Sequence, residues 1–85
     1  MYRYEAIALL RELAAEHLID PLLALIEPRK IDRYELQIRG FYDLELITRF
    51  IKQYDLAVKE DTTKGTLTIF RPWFAKIFSL AVKCD

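Results

Sequence analysis

The chain has no asparagine, one cysteine, one histidine, one serine and two glycines among its 85 residues, and each scarcity excludes something. A lone thiol, Cys84, cannot close an internal disulfide, and with no second cysteine or nearby histidine it cannot complete a zinc set. The two glycines, Gly40 and Gly65, stand too far apart to form a phosphate-cradling loop, and no Gly-x-x-Gly segment is present. No uninterrupted apolar run is longer than Leu22 to Ile26, which is far too short to span a bilayer, and the opening Met-Tyr-Arg-Tyr-Glu does not build the apolar core of a signal peptide. These features predict a protein of a reducing compartment, the cytoplasm, with no membrane role.

Net charge is missing as well, since thirteen basic residues cancel thirteen acidic ones. What remains is a chain that is 53% hydrophobic and 13% aromatic, with few glycines to lose backbone entropy on folding. That composition excludes disorder and predicts one compact domain over residues 1–85. Few Asn, Gln, Cys and Ser beside abundant Glu, Lys and Arg is also a balance found in proteins that work at high temperature.

Periodicity supplies the elements. Ala6, Ile7, Leu9, Leu10, Leu13, Ala14 and Leu18 recur at helical spacing, predicting an amphipathic helix from Arg3 to about Leu18. Asp20-Pro21 reads as an N-cap and first helical position, so Leu22, Leu23 and Ile26 are expected in a restarted or kinked helix that Pro28 ends. Between Arg29 and Gly40 the period drops to two, with Tyr34, Leu36 and Ile38 facing a core and Arg33, Glu35, Gln37 and Arg39 facing water. A second helix follows from the N-cap Asp43, with Leu46, Ile47, Phe50, Ile51 and Tyr54 at helical spacing and Tyr42 and Ile47 placed as a hydrophobic staple. Leu56–Asp61 and Thr66–Arg71 then read as two strands of a hairpin turned at Thr62-Thr63-Lys64-Gly65. The segment after Pro72 fits a helix through Trp73, Phe74, Ile77, Phe78 and Ala81, or a fourth strand through Phe78, Leu80, Val82 and Cys84. The expected fold is α+β, a three- or four-stranded sheet with helices on one face, in the order α-β-α-β-β-α.

No catalytic, cofactor or metal constellation emerges. His17 falls on the apolar arc of the first helix without a partner, so a packed ring near the helix C-terminus is expected rather than a base or ligand. Cys84 has neither a base nor an oxyanion donor beside it. Glu12, Glu16 and Asp20 line one side of the first helix opposite its apolar arc, as a solvated face does.

Charge is unevenly spread. Residues 1–28 carry five acids and two bases, residues 29–39 two acids and four bases, residues 40–61 five acids and three bases, and residues 62–85 one acid and four bases. Should Arg33 and Arg39 meet Arg71 and Lys76, they make a basic patch with Trp73 as a stacking surface for single-stranded DNA or RNA. A chain so close to neutrality is nonetheless less basic than such binders usually are. The preferred expectation is therefore a non-catalytic interaction or oligomerisation module, most simply a homodimer or a partner for another protein. Trp73, Phe74, Ile77 and Phe78 are its candidate interface, because they give one segment apolar groups on more than one side.

Overall fold

The computed structural model describes residues 1–29 and 33–72. Helix α1 spans Arg3–Ala15, and its first turn is tied down where the Glu5 carboxylate accepts the Tyr2 N–H at 2.8 Å. It stops earlier than expected, for a reason that lies in the backbone. His17 adopts φ +58°, its N–H reaches the Ala14 carbonyl at 3.0 Å, and the Leu18 N–H reaches back to Leu13 at 2.9 Å. This is a Schellman ending with His17 in the left-handed position usually held by glycine. The expected packed imidazole is thereby corrected: His17 is exposed, and its ring contributes nothing to the core.

The next segment also departs from expectation. Asp20 caps as predicted, accepting the Leu22 N–H at 3.0 Å, but the turn it starts is a single 3-10 turn, Pro21–Leu23. The chain then extends into strand β1, Ala24–Pro28, where a helix was expected. A short apolar run fits either period, and here pairing with the neighbouring strand decides. Strand β2 is Tyr34–Arg39, helix α2 is Leu44–Ile51 followed by a 3-10 turn at Lys52–Tyr54, and strands β3 and β4 are Ala57–Asp61 and Thr66–Phe70. Asp43 caps α2 by accepting the Leu46 N–H at 3.1 Å, and Gly65 takes φ +66° in the β3–β4 turn. The observed order is α-β-β-α-β-β, which inserts a strand that periodicity alone did not separate from the preceding helix.

All pairings are antiparallel and the sheet order is β1-β2-β4-β3. Leu36 lies opposite Ile69 and Ile38 opposite Leu67, so these four side chains share one face of the two central strands. Both helices cover that face: Ala6, Leu9 and Leu13 of α1 and Ile47 and Ile51 of α2 complete the same buried cluster. Each large side chain in it contributes roughly 1.5–3 kcal/mol of burial, which makes this layer the main source of stability. The fold is thus a helix and a hairpin, followed by a second helix and hairpin, joined along β2 and β4. The segment from Trp73 onward lies outside the described residues, and with it the expected last helix or strand.

Candidate interaction surfaces

Among the described residues, three surfaces stand out once the core is closed. The first is an apolar rim at one end of the sheet. Leu22 is 90% exposed and Phe41 99% exposed, with Leu23 and Leu25 close to half exposed beside them. They are drawn together because Leu22 and Leu23 occupy the 3-10 turn that feeds β1, while Phe41 follows the turn at the end of β2. Gly40, at φ +79°, lets that turn approach so closely that a Cβ placed there would lie 2.7 Å from Leu23 Cδ1. Sequence reasoning missed this rim, because it placed Leu22 and Leu23 in a helix and did not single out Phe41; the one local signal for it is Phe beside a turn glycine.

The second surface is the open face of the sheet, opposite the helices. Register places Leu25, Gln37, Thr68 and Lys59 in one row across it, and Arg39, Thr66 and Asp61 in the next. A polar concavity of about 520 Å³ lies here, lined by groups that include Gln37, Thr66, Thr68, Lys59, Lys64 and Phe70. Its charges alternate in sign. Arg29 donates to Glu35 at 2.7 Å, which raises the Arg29 pKa, and the Asp61 carboxylate accepts the Lys64 N–H at 3.1 Å.

The third is a cleft of about 210 Å³ between α1 and the ends of β3 and β4, bordered by Tyr4, Leu9, Tyr54, Leu56 and Arg71. The Arg71 guanidinium pairs with the Glu5 carboxylate and also donates to the Tyr54 carbonyl at 3.1 Å, while the Tyr54 hydroxyl donates to Glu12 at 2.7 Å and has its pKa raised by that bond. Burial acts to raise the Glu5 pKa, yet the Tyr2 N–H, the Arg71 guanidinium and the Met1 amine outweigh it and hold the carboxyl below its usual range. These bonds tie α1 to the end of α2 and leave Arg71 committed.

Of the residues expected to bind nucleic acid, Arg39 and Arg71 are not brought together. Arg39 is exposed on the open face, whereas Arg71 is on the helix side, engaged with Glu5; Arg33 precedes β2 at intermediate exposure. Lys76 and Trp73 lie outside the described residues, as do the candidate interface residues Phe74, Ile77 and Phe78. Among the described residues no group of His, Cys, Asp and Glu is arranged to hold a metal ion, and no helix is long and apolar enough to cross a membrane. Comparison with protein-family models, curated proteins and solved structures found no match for this chain.

Proposed function

We propose that the chain is a non-catalytic interaction module that assembles through protein contacts, with a second copy of itself as the partner at the rim. The observation that carries this reading is the exposure of Phe41 and Leu22, two large apolar side chains brought to one end of the sheet beside Leu23. Exposed large apolar side chains gathered at one end mark interaction sites, and covering each such side chain contributes about 1.5–3 kcal/mol. A second copy fits because the chain carries no net charge, so two copies meet without long-range repulsion.

Sedimentation equilibrium under reducing conditions, which exclude cross-linking through Cys84, tests the proposal. The wild-type mass should rise from monomer toward dimer with concentration, and the double variant Leu22→Ser/Phe41→Ser should stay monomeric with its circular dichroism unchanged. A wild-type chain that remains monomeric at every concentration removes the reading. Dissociation by Trp73→Ser/Phe78→Ser, with the rim variant still dimeric, assigns the contact to the C-terminal segment instead.

Single-stranded nucleic acid is the weaker reading. The open-face cations Arg39, Lys59 and Lys64 are interleaved with Glu27, Glu35 and Asp61, and phosphate binding needs an uninterrupted run of positive charge. Its signature would be oligonucleotide binding that collapses between low and moderate salt.

A further inference from the structure

Backbone hydrogen bonding separates the two outer strands of the sheet. In an antiparallel ladder both polar groups of a residue point to the same side, and successive residues alternate. The Arg29 N–H bonds to the Arg33 carbonyl at 2.9 Å, so Leu25 and Glu27 also turn their groups toward β2, while Ala24, Ile26 and Pro28 turn theirs outward. Of those three, Pro28 has no N–H, and the Ala24 N–H is taken by the Pro21 carbonyl of the preceding turn. The β1 edge therefore retains one outward donor, at Ile26, and is the poorer acceptor for an added strand.

The β3 edge is different. Tyr34 exchanges hydrogen bonds with Met1 on the side of β2 away from β1, so Leu36 and Ile38 face β4. The alternation carries across β4 and leaves Val58 and Glu60 of β3 with N–H and carbonyl both pointing outward. Proline is absent from β3, and among the described residues no turn or loop backbone hydrogen bond reaches the outward groups of Val58 or Glu60. We infer that the outer edge of β3 is a strand-acceptor site that takes an extended segment of a partner protein, one in which apolar residues alternate with acidic ones.

The side chains flanking that edge set the chemistry. On the helix side an added residue lies beside Val58, which packs against the core, while the Glu60 carboxylate is occupied by the Tyr42 hydroxyl at 2.6 Å. On the open side it lies beside Lys59, which is exposed and makes no ion pair among the described residues. An apolar residue suits the first position and a carboxylate the second. A second copy of β3 suits at most one of them in any register. The in-phase antiparallel registers place Lys59 opposite Lys59, or Lys59 opposite Asp61 with Glu60 opposite Glu60, or Val58 opposite Val58 with Lys59 opposite Ala57, so no register of self-pairing meets both positions.

The site is independent of the rim and is tested separately, on the full chain, with the capped peptide Thr-Val-Glu-Val-Glu-Val-Thr and its lysine analogue. In amide-resolved NMR titrations the glutamate peptide should shift the Val58 and Glu60 amides and slow their hydrogen exchange. The lysine analogue should bind more weakly, at least about threefold. Glu60→Pro removes an outward donor that the sheet does not use and should abolish binding, whereas Glu60→Ala, which loses only the carboxylate, should retain it. Should Glu60→Pro fail to fold, Lys59→Glu decides, because it should reverse the preference between the two peptides. Peptide binding should survive Leu22→Ser/Phe41→Ser, so failure of the rim and failure of the edge are read apart. Unmoved Val58 and Glu60 amides at millimolar peptide overturn the inference, as does protection of those amides that rises with protein concentration alone, which would make a second copy the occupant.

Discussion

The two helix-and-hairpin halves contribute the same elements in the same order, yet they end differently. In the first half, α1 has thirteen residues and its outer strand β1 is partly sealed by Pro28 and by the turn at Pro21–Leu23. In the second, α2 has eight residues and its outer strand β3 leaves two residues with unsealed backbone groups, flanked by charge at Lys59, Glu60 and Asp61. The lesson concerns what each half has left over. The first half leaves leucines uncovered at its rim and a single outward donor on its edge; the second leaves Leu44 and Leu46 partly exposed on α2 and, among the described residues, two outward donors on β3. Side-chain surface and backbone edge are the two currencies of association, and this chain keeps them at opposite sides of one sheet.

The seam between the halves is where the comparison can be broken most completely. Leu36→Ala removes a fully buried side chain from the central pair of strands, and chemical denaturation should show a loss of about 2–5 kcal/mol with both halves unfolding together. A first half that unfolds before the second would show that the halves are separate folding units.

The turn glycines sharpen it next. Gly40→Ala forces a side chain into the left-handed region and onto Leu23 Cδ1, whereas Gly65→Ala meets the same strain with open space around it. Each should cost about 1–2 kcal/mol for the backbone, and Gly40→Ala more, because it also displaces the rim. Equal losses in thermal unfolding would mean that Leu23 moves aside freely.

The pair of Glu5 with Arg71 stitches the first helix to the end of the second hairpin, and its effect is smaller and pH-dependent. Because the folded Glu5 carboxyl has a depressed pKa, its contribution is complete above the unfolded value near 4.5 and is lost as pH falls through the lower folded value. Glu5→Gln should cost about 1 kcal/mol near neutrality, given the partial exposure of both partners, and should flatten the acid limb of a stability-against-pH curve. An unchanged acid limb would assign it to other carboxylates. Smallest of all, His17→Gly should raise stability by about 0.5–1 kcal/mol, since glycine enters the left-handed position without strain. A loss there would mean that the imidazole makes a contact that its exposure conceals.

On the second hairpin, the Tyr42 hydroxyl is pushed up to about 12 by its hydrogen bond to Glu60, then by burial and by the carboxylate charge. That bond brackets the open edge without sealing it, because it engages a side chain rather than the backbone groups of β3. The contrast with Pro28, which acts on the backbone itself, is why the two edges differ in kind.

Much of this was legible in the residues. Tyr34, Leu36 and Ile38 announced β2, Asp43 announced the start of α2, and Thr62-Thr63-Lys64-Gly65 announced the β3–β4 turn, because each rests on local rules of alternation, capping and glycine conformation. The run from Leu22 to Ile26 was not decided locally: five apolar residues fit a helix or a strand, and only the partner β2 selects between them. His17 was misplaced for a related reason, since helical spacing continues on paper past the point where the Schellman turn has already reversed the chain. The basic residues show the same limit. Charge counts found Arg39 and Arg71, but the alternation of the sheet sends one to the open face and the other to the helix side, where it pairs with Glu5.

Sequence by itself determined the class of fold, the strand β2 with its core face, and the β3–β4 hairpin, since these depend on composition and on periods a few residues long. Tertiary structure alone decided that β4 lies between β2 and β3, that Leu22, Leu23 and Phe41 come to one rim, and that among the described residues one sheet edge keeps fewer outward donors than the other. Those outcomes depend on which strand lies beside which, and strand order is set by long-range packing between residues that no local pattern connects.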